Sequence, residues 1–142
     1  MSKWKNKQIL ITGAGSGIGQ ALARLFANQG AKLILTDINE KNLNDTTNEL
    51  IHAITLSKTA DVTRKEDWQN LATQLREEIG YLDVLINNAG MTSIGFFEDT
   101  SEALFNKVMD VNLNGVVMGC REMLPLLEKS ARGLIVNVAS IF

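Results

Sequence analysis

The sequence predicts an α/β fold with a doubly wound parallel sheet, formed as one domain over residues 1–142. Three observations support this. Strand-like and helix-like segments alternate along the whole chain, which calls for right-handed βαβ crossovers. The strand-like segments are nearly continuous apolar runs, as expected for parallel strands covered on both faces. A glycine-rich turn joins the first strand to the first helix, and this placement is typical of a phosphate-binding loop.

The first half of the chain contains three predicted strands and two predicted helices. Residues 7–12 form the first strand, and the amphipathic helix after the glycine-rich turn ends near Gly30. A second strand is expected over 31–36, a polar helix over 39–50 and a third strand over 51–57.

The second half continues the alternation. Thr63-Arg64-Lys65-Glu66 has the pattern of a capping box, which predicts a helix from there to Gly80. A fourth strand is expected over 82–86 and a loop over 91–99. Helical signals then run from 101 to 130, and residues 134–138 form the last predicted strand.

Composition excludes several classes of protein. With 45% hydrophobic and 21% charged residues, the chain is ordinary for a globular domain. A net charge of -2 offers no basic surface for nucleic acid, and no apolar run is long enough to cross a membrane. A lone cysteine, Cys120, excludes an internal disulfide and a cysteine zinc site, so no metal site is predicted. The N-terminus lacks a signal-peptide core, which favours a cytoplasmic protein.

The glycine-rich turn is the clearest candidate for a ligand site. Gly13, Gly17 and Gly19 let the chain turn sharply and bring backbone N–H groups close to an anion. Ser16 and Ile18 would add a hydroxyl and a further N–H group, and the following helix directs its positive end at the same point. The alternative is a tight strand-to-helix connection that binds nothing.

The spacing G-x-x-x-G-x-G, with Thr12 before it, resembles the short-chain dehydrogenase/reductase family rather than the common G-x-G-x-x-G pattern. Further elements match at the expected places: Asp37, Asp61-Val62, Asn87-Asn88-Ala89-Gly90, Asn112 and Ser140. The resemblance covers the whole chain. It implies a Rossmann-like sheet of order 3-2-1-4-5-6-7, of which this chain would supply 3-2-1-4-5 and lack strands 6 and 7.

The resemblance assigns Asp37 to the adenosine ribose of a nicotinamide cofactor. A carboxylate at the end of the second strand can accept bonds from both ribose hydroxyls and would repel a 2′-phosphate. Ser16 and Ile38 stand where NADP-using relatives often carry Arg or Lys, so NAD is favoured over NADP. Asp37 could also cap the helix that follows, and the two roles are compatible.

Two further segments are assigned to the cofactor by the same resemblance. Asp61 and Val62 would flank the adenine ring, although Asp61 could also be a plain loop acid. Asn88, Ala89 and Gly90 would let the backbone pass close to the cofactor ribose. The Asn88 amide could also tie neighbouring strands together.

Asn112 and Ser140 are the predicted catalytic residues. Asn is unfavourable inside a helix, and in relatives the matching Asn marks a helix break whose carbonyl holds a water of a proton relay. An exposed helical Asn112 is the alternative. Ser140 matches the serine that holds the substrate oxygen. The family's acid–base pair, a Tyr followed four residues later by Lys, has no counterpart here, because the only tyrosine is Tyr81 and position 85 is Leu.

These features lead to three hypotheses. The first is an NAD(P)-dependent oxidoreductase that transfers hydride between nicotinamide and a carbonyl or alcohol, with the chain as given catalytically incomplete. The second is a dinucleotide-binding module without turnover. The third is an interaction protein that pairs with a partner through the helix at 111–130, as the matching helix does in dimers of relatives. The same resemblance implies a homo-oligomer.

The resemblance also implies an exposed surface on this chain. Residues 134–138 would form an uncovered apolar sheet edge, so the isolated chain is expected to be marginally stable, self-associating or part of a longer protein. Ile94, Phe96 and Phe97 suggest apolar contact with a substrate that the sequence does not identify.

Overall fold

A computed structural model of the chain describes residues 2–140 and shows a five-stranded sheet with helices on both faces. The strands are β1 (Gln8–Thr12), β2 (Lys32–Asp37), β3 (Ile54–Thr59), β4 (Val84–Asn87) and β5 (Leu134–Asn137). Neighbouring strands are all parallel, in the order β3-β2-β1-β4-β5. The predicted fold class and strand order are therefore confirmed.

Five α-helices connect the strands: α1 (Gly17–Asn28), α2 (Glu40–Glu49), α3 (Lys65–Glu78), α4 (Glu102–Met109) and α5 (Gly115–Leu127). The helical stretch predicted over 101–130 is not continuous. A π-helical segment, Asp110–Asn114, separates α4 from α5, and α5 ends at Leu127 rather than at 130. The predicted loop 91–99 contains a short 3-10 turn at Phe97–Asp99.

The sheet divides the hydrophobic core into two layers. Successive strand residues point to opposite faces, so Ile9 and Ile11 pack with α1 and α2 while Leu10 packs with α3 and α5. In the first layer the helices contribute Ala23, Phe26 and Leu43, and in the second Trp68, Leu71, Leu75, Met123 and Leu126. Burial on both faces explains why the strands are apolar at consecutive positions.

Two local predictions need correction. The third strand begins at Ile54 rather than at residue 51, because the amide of Ala53 donates to the Leu50 carbonyl in a turn after α2. The capping box is also wrong. Thr63 does not cap α3, because its hydroxyl donates to Asp61 Oδ1 at 2.7 Å. The N-cap position is occupied by Arg64, which makes no side-chain cap bond.

The amino ends of the strands hold a buried carboxylate. Asp83 precedes β4 and accepts bonds from Lys7 Nζ (2.9 Å), the Gln8 amide (2.9 Å) and the Ser130 hydroxyl (2.6 Å). Burial alone would raise the pKa of Asp83, but these bonds outweigh it and hold the pKa below its ordinary value. The carboxylate thus ties the starts of β1 and β4 to the segment after α5.

Strand β5 forms one edge of the sheet within residues 2–140. Its apolar side chains are partly open to solvent, with Leu134 44% and Val136 37% exposed. Residues 2–140 contain no helix with the length and apolar character needed to span a membrane.

Candidate functional site

A cleft runs along the carboxyl ends of the strands. Because all the strands are parallel, the segments that follow β1, β2, β3 and β4 meet at this one edge of the sheet. The direction in which successive strands are added to the sheet reverses between β1 and β4, and ligands of open α/β sheets bind at such a switch point. A cavity of about 560 Å³ lies there, and every predicted cofactor residue except Gly19 lines it: Gly13, Ser16, Gly17, Ile18, Asp37, Asp61, Val62, Asn88, Ala89 and Gly90.

The glycine-rich turn approaches the start of α1 too closely for side chains. Gly13 has a left-handed φ of 64°. A Cβ on Gly19 would clash with the Gly13 carbonyl and lie 2.6 Å from Asn88 Nδ2. Gly19 therefore lies beneath the turn instead of lining the cavity.

The start of α1 is suited to an anion. Ser16 is its N-cap residue but makes no side-chain cap bond, and the first turn contains no acidic residue. The unpaired N–H groups and the positive end of the helix dipole are thus uncompensated within α1. A pyrophosphate would fit both features.

Asp37 connects the end of β2 to the glycine-rich turn. Its Oδ2 accepts the Gly15 amide at 2.9 Å and its Oδ1 accepts the Asn39 amide at 2.8 Å. Asn39, not Asp37, is the N-cap residue of α2, because its side chain accepts the Asn42 amide. Each oxygen of Asp37 keeps a lone pair that could accept a ribose hydroxyl.

Asp61 and Val62 line the cavity after β3. One oxygen of Asp61 accepts both the amide and the hydroxyl of Thr63, at 2.9 and 2.7 Å. The Asp61 amide donates to Asp67 Oδ2 at 2.8 Å. These bonds fix Asp61 and Thr63 within the loop between β3 and α3.

Asn88 joins the ends of β1 and β4, as the sequence predicts. Its Nδ2 donates to the carbonyls of Thr12 (3.0 Å) and Gly13 (3.3 Å). In return, the buried Thr12 hydroxyl accepts the amides of Asn88 (3.0 Å) and Ala89 (2.9 Å). Sequence reasoning used Thr12 only as part of the motif and missed this role, which depends on two strands far apart in sequence.

Replacing Thr12 by valine should lower the free energy of unfolding by about 2 kcal/mol, because two part-buried N–H groups lose their acceptor. Urea denaturation measures the change. Thr12→Ser keeps the hydroxyl and is the matched control. Equal stability of the valine and serine variants would contradict this role of the hydroxyl.

A second cavity of about 570 Å³ adjoins the first and shares Ile18, Asn88, Ala89, Gly90 and Met91 with it. Asn112 and Ser140 both line this second cavity. The fold thus brings together two residues that are 28 positions apart in the sequence. No charged side chain lines it among the residues described.

Asn112 lies in the π-helical segment, so the predicted break in the helix is present. Its side chain is also bonded to the loop after β4: Oδ1 accepts the Met91 amide at 2.9 Å, and Nδ2 donates to the Met91 carbonyl at 2.7 Å. This bond pair fixes the floor of the second cavity relative to the π segment.

Sequence reasoning missed several lining residues of the first cavity. Thr36, Ala60, Met91, Lys107 and Val111 all line it. Lys107 and Val111 are four residues apart across α4 and the π segment, and that spacing places them on one helical face. The charged residues of this lining are Lys107, Asp37 and Asp61. Within residues 2–140, no cluster of His, Cys, Asp or Glu could hold a metal ion.

The fold and the cleft at its switch point define a Rossmann-like domain. The chain belongs to the short-chain dehydrogenase family, whose family model matches residues 7–142. It is 36% identical over 141 residues to an uncharacterised oxidoreductase of Staphylococcus saprophyticus and 39% identical over 140 residues to one of Thermotoga maritima. These matches cover 99% and 96% of this chain.

Solved structures of the family superimpose closely. A short-chain dehydrogenase/reductase of Burkholderia phymatum in complex with NAD matches with a TM-score of 0.91 and 36% identity over 99% of this chain. One of Brucella melitensis, described as a glucose/ribitol dehydrogenase type, matches with a TM-score of 0.90 and 31% identity over 98% of this chain. The chain spans 57% and 55% of the two curated relatives and 51% and 56% of these two structures.

Proposed function

We propose that this chain is the cofactor-binding part of an NAD-dependent oxidoreductase that acts on a carbonyl or alcohol substrate. The observation that carries the proposal is the pair of adjoining cavities, one lined by the predicted cofactor residues and the other by Asn112 and Ser140. The solved relative that contains NAD supports it. When bound, the nicotinamide would supply the hydride acceptor or donor.

NAD is favoured over NADP by the charges at the end of β2. The Asp37 carboxylate would repel a 2′-phosphate, and exposed Ile38 offers no compensating cation. The start of α1 fits a pyrophosphate because Ser16 makes no side-chain cap bond and the first turn contains no acidic residue. Gly19, which has no room for a Cβ, lets the glycine-rich turn pack directly on α1. Asp61 and Val62 would then flank the adenine.

In the second cavity, Ser140 would orient the substrate oxygen and Asn112 would support the proton relay. For these 142 residues taken alone we expect cofactor binding without turnover. Tyr81 precedes β4, at the amino end of the sheet, and so lies on the far side from the cleft. It is the only tyrosine, and the family's acid–base pair needs one at the substrate.

The substrate is expected to be neutral and apolar. The lining of the second cavity includes Ile18, Met91, Val116 and Val138 and, among the described residues, no charged side chain that could pair with a charged substrate group. The nearby loop exposes Ile94 and Phe97, which are 97% and 87% accessible.

Replacing Asp37 by alanine should weaken NAD binding about 10- to 100-fold, because hydrogen bonds from ribose hydroxyls to a carboxylate are lost. Binding of NADP should weaken less, since the repulsion of the 2′-phosphate is also removed. Isothermal titration calorimetry of both cofactors measures the difference. Asp45→Ala, which removes an exposed carboxylate of α2, is the control. Unchanged NAD affinity in Asp37→Ala would overturn the ribose assignment.

A second candidate function is self-association through the face of the helical stretch 111–130. Leu113, Val117 and Leu124 are 45–50% exposed on it, which is unusual for so many large apolar side chains on one helical stretch. Sedimentation of the chain with and without NAD separates the functions: a dimer that binds no cofactor would favour an interaction protein. A cytoplasmic location stays a prediction from the sequence.

A further inference from the structure

The wall that would face adenine is held from behind by a tryptophan. Val62 lines the first cavity, and its carbonyl accepts a 2.9 Å hydrogen bond from Trp68 Nε1 in the first turns of α3. Trp68 is only 3% exposed. It therefore does not line the cavity, and its contact with the site passes through Val62.

Helix α5 fixes this contact from the other side. A Cβ on Gly119 would lie 2.8 Å from Trp68 Cη2, and one on Gly115 would lie 3.0 Å from Val62 Cγ2. The indole ring and the valine thus pack directly on the backbone of α5. Two glycines one helical turn apart receive them.

The remaining bonds of this loop hold its other residues. Asp67 binds the Asp61 amide, and Asp61 binds Thr63. The hydrogen bond to Val62 itself comes from the indole N–H of Trp68. Without the N–H group, an aromatic ring at position 68 could still fill its place in the core. The Val62 carbonyl would then lose its hydrogen-bond donor, and Val62 would lose its fixed position in the cavity wall.

We propose that Trp68 is a positioning residue for the adenine of the bound cofactor: its indole N–H holds Val62 at the distance at which the valine side chain packs on the adenine ring. The inference rests on the proposed binding of NAD. It predicts an effect confined to the adenosine half of the cofactor, because Val62 does not line the second cavity.

Trp68→Phe removes the N–H and keeps an aromatic ring. We expect it to weaken binding of AMP and of NAD about fivefold, the usual effect of one neutral hydrogen bond, and to leave binding of nicotinamide mononucleotide unchanged. Calorimetric titration of the 142-residue chain with each nucleotide measures this. Trp4→Phe is the matched control, because Trp4 packs against Phe26 in the other core layer; all its affinities should stay unchanged.

A second measurement does not require the Trp68 variant to fold. In Trp4→Phe the remaining indole fluorescence comes from Trp68, and saturating AMP should change it while nicotinamide mononucleotide should not. Unchanged emission with AMP, or unchanged AMP affinity in Trp68→Phe, would overturn the inference alone. An equal loss for both mononucleotides would also overturn it, since that is the result of general destabilisation. Failure of the unsubstituted chain to bind NAD would overturn the proposed function as well.

Discussion

Replacing Gly19 by alanine should reduce NAD affinity about 100-fold, the equivalent of one to two charge-assisted hydrogen bonds. The new methyl group would clash with the Gly13 carbonyl, which is backbone and has no rotamer to change. The glycine-rich turn would have to move, and its N–H groups would no longer converge on the pyrophosphate. Calorimetric titration with NAD measures the loss.

Gly95→Ala is the matched control for this variant. Gly95 lies in the loop before the 3-10 turn, and a Cβ there would meet no atom within 4 Å. It should bind NAD like the unsubstituted chain. If Gly19→Ala bound NAD as tightly as Gly95→Ala, the glycine-rich turn would not be the pyrophosphate site.

Replacing Asp83 by asparagine should lower the free energy of unfolding at pH 7 by about 3 kcal/mol, since the buried carboxylate accepts three hydrogen bonds and an amide has only one accepting oxygen. The asparagine side chain would also place its own N–H group against at least one of the three donor groups whose hydrogen bonds the carboxylate now accepts. Urea denaturation gives the value. Lys7→Met removes a more exposed partner and should cost less than about 1 kcal/mol.

The same carboxylate should make stability depend on acid pH. The pKa of Asp83 is lower in the folded protein than its ordinary value, so the folded state binds this proton less readily than the unfolded state. Its contribution is present above the unfolded pKa of about 3.9 and is lost as the pH falls through the folded pKa. Urea midpoints between pH 6 and 3 should fall less steeply for Asp83→Asn than for the unsubstituted chain.

Asp83 lies at the amino ends of the strands, away from the cleft. Its replacement should therefore leave NAD affinity unchanged under conditions where the variant is folded. A large loss of affinity in the folded variant would show that the two ends of the sheet are coupled. Parallel slopes of the two pH profiles would contradict the assigned source of the acid dependence.

The sequence pattern was sufficient to predict those structural features that depend on a single segment of the chain. The apolar runs at Ile9–Ile11 and Leu33–Leu35 predict parallel strands, because burial on both faces requires apolar residues at consecutive positions. The motif residues after each strand predict the cleft, since the carboxyl ends of parallel strands share one edge. The family resemblance at Asn112, an unfavourable residue inside a helix, implies the break that is seen as a π segment.

Two helix-capping roles that the sequence suggests are decided by competition between neighbouring groups. Thr63 has the position of a capping residue, but its hydroxyl donates to Asp61 instead. Asp37 could have capped α2, but Asn39 does so. Both outcomes depend on which acceptor lies nearest after the chain has folded, and the order of residues does not record this.

By itself, the sequence determined the class of fold and the order of its elements, because periodicity is a local property of a chain, and the motifs that it shares with the family indicated many of the residues that line the cleft. Only the tertiary structure decided the supports behind that cleft. The bonds from Thr12 to Asn88, from Asn112 to Met91 and from Trp68 to Val62 each depend on the relative placement of separate elements. Such bonds are set by packing across the sheet and its helices, and no single segment carries a signal for them.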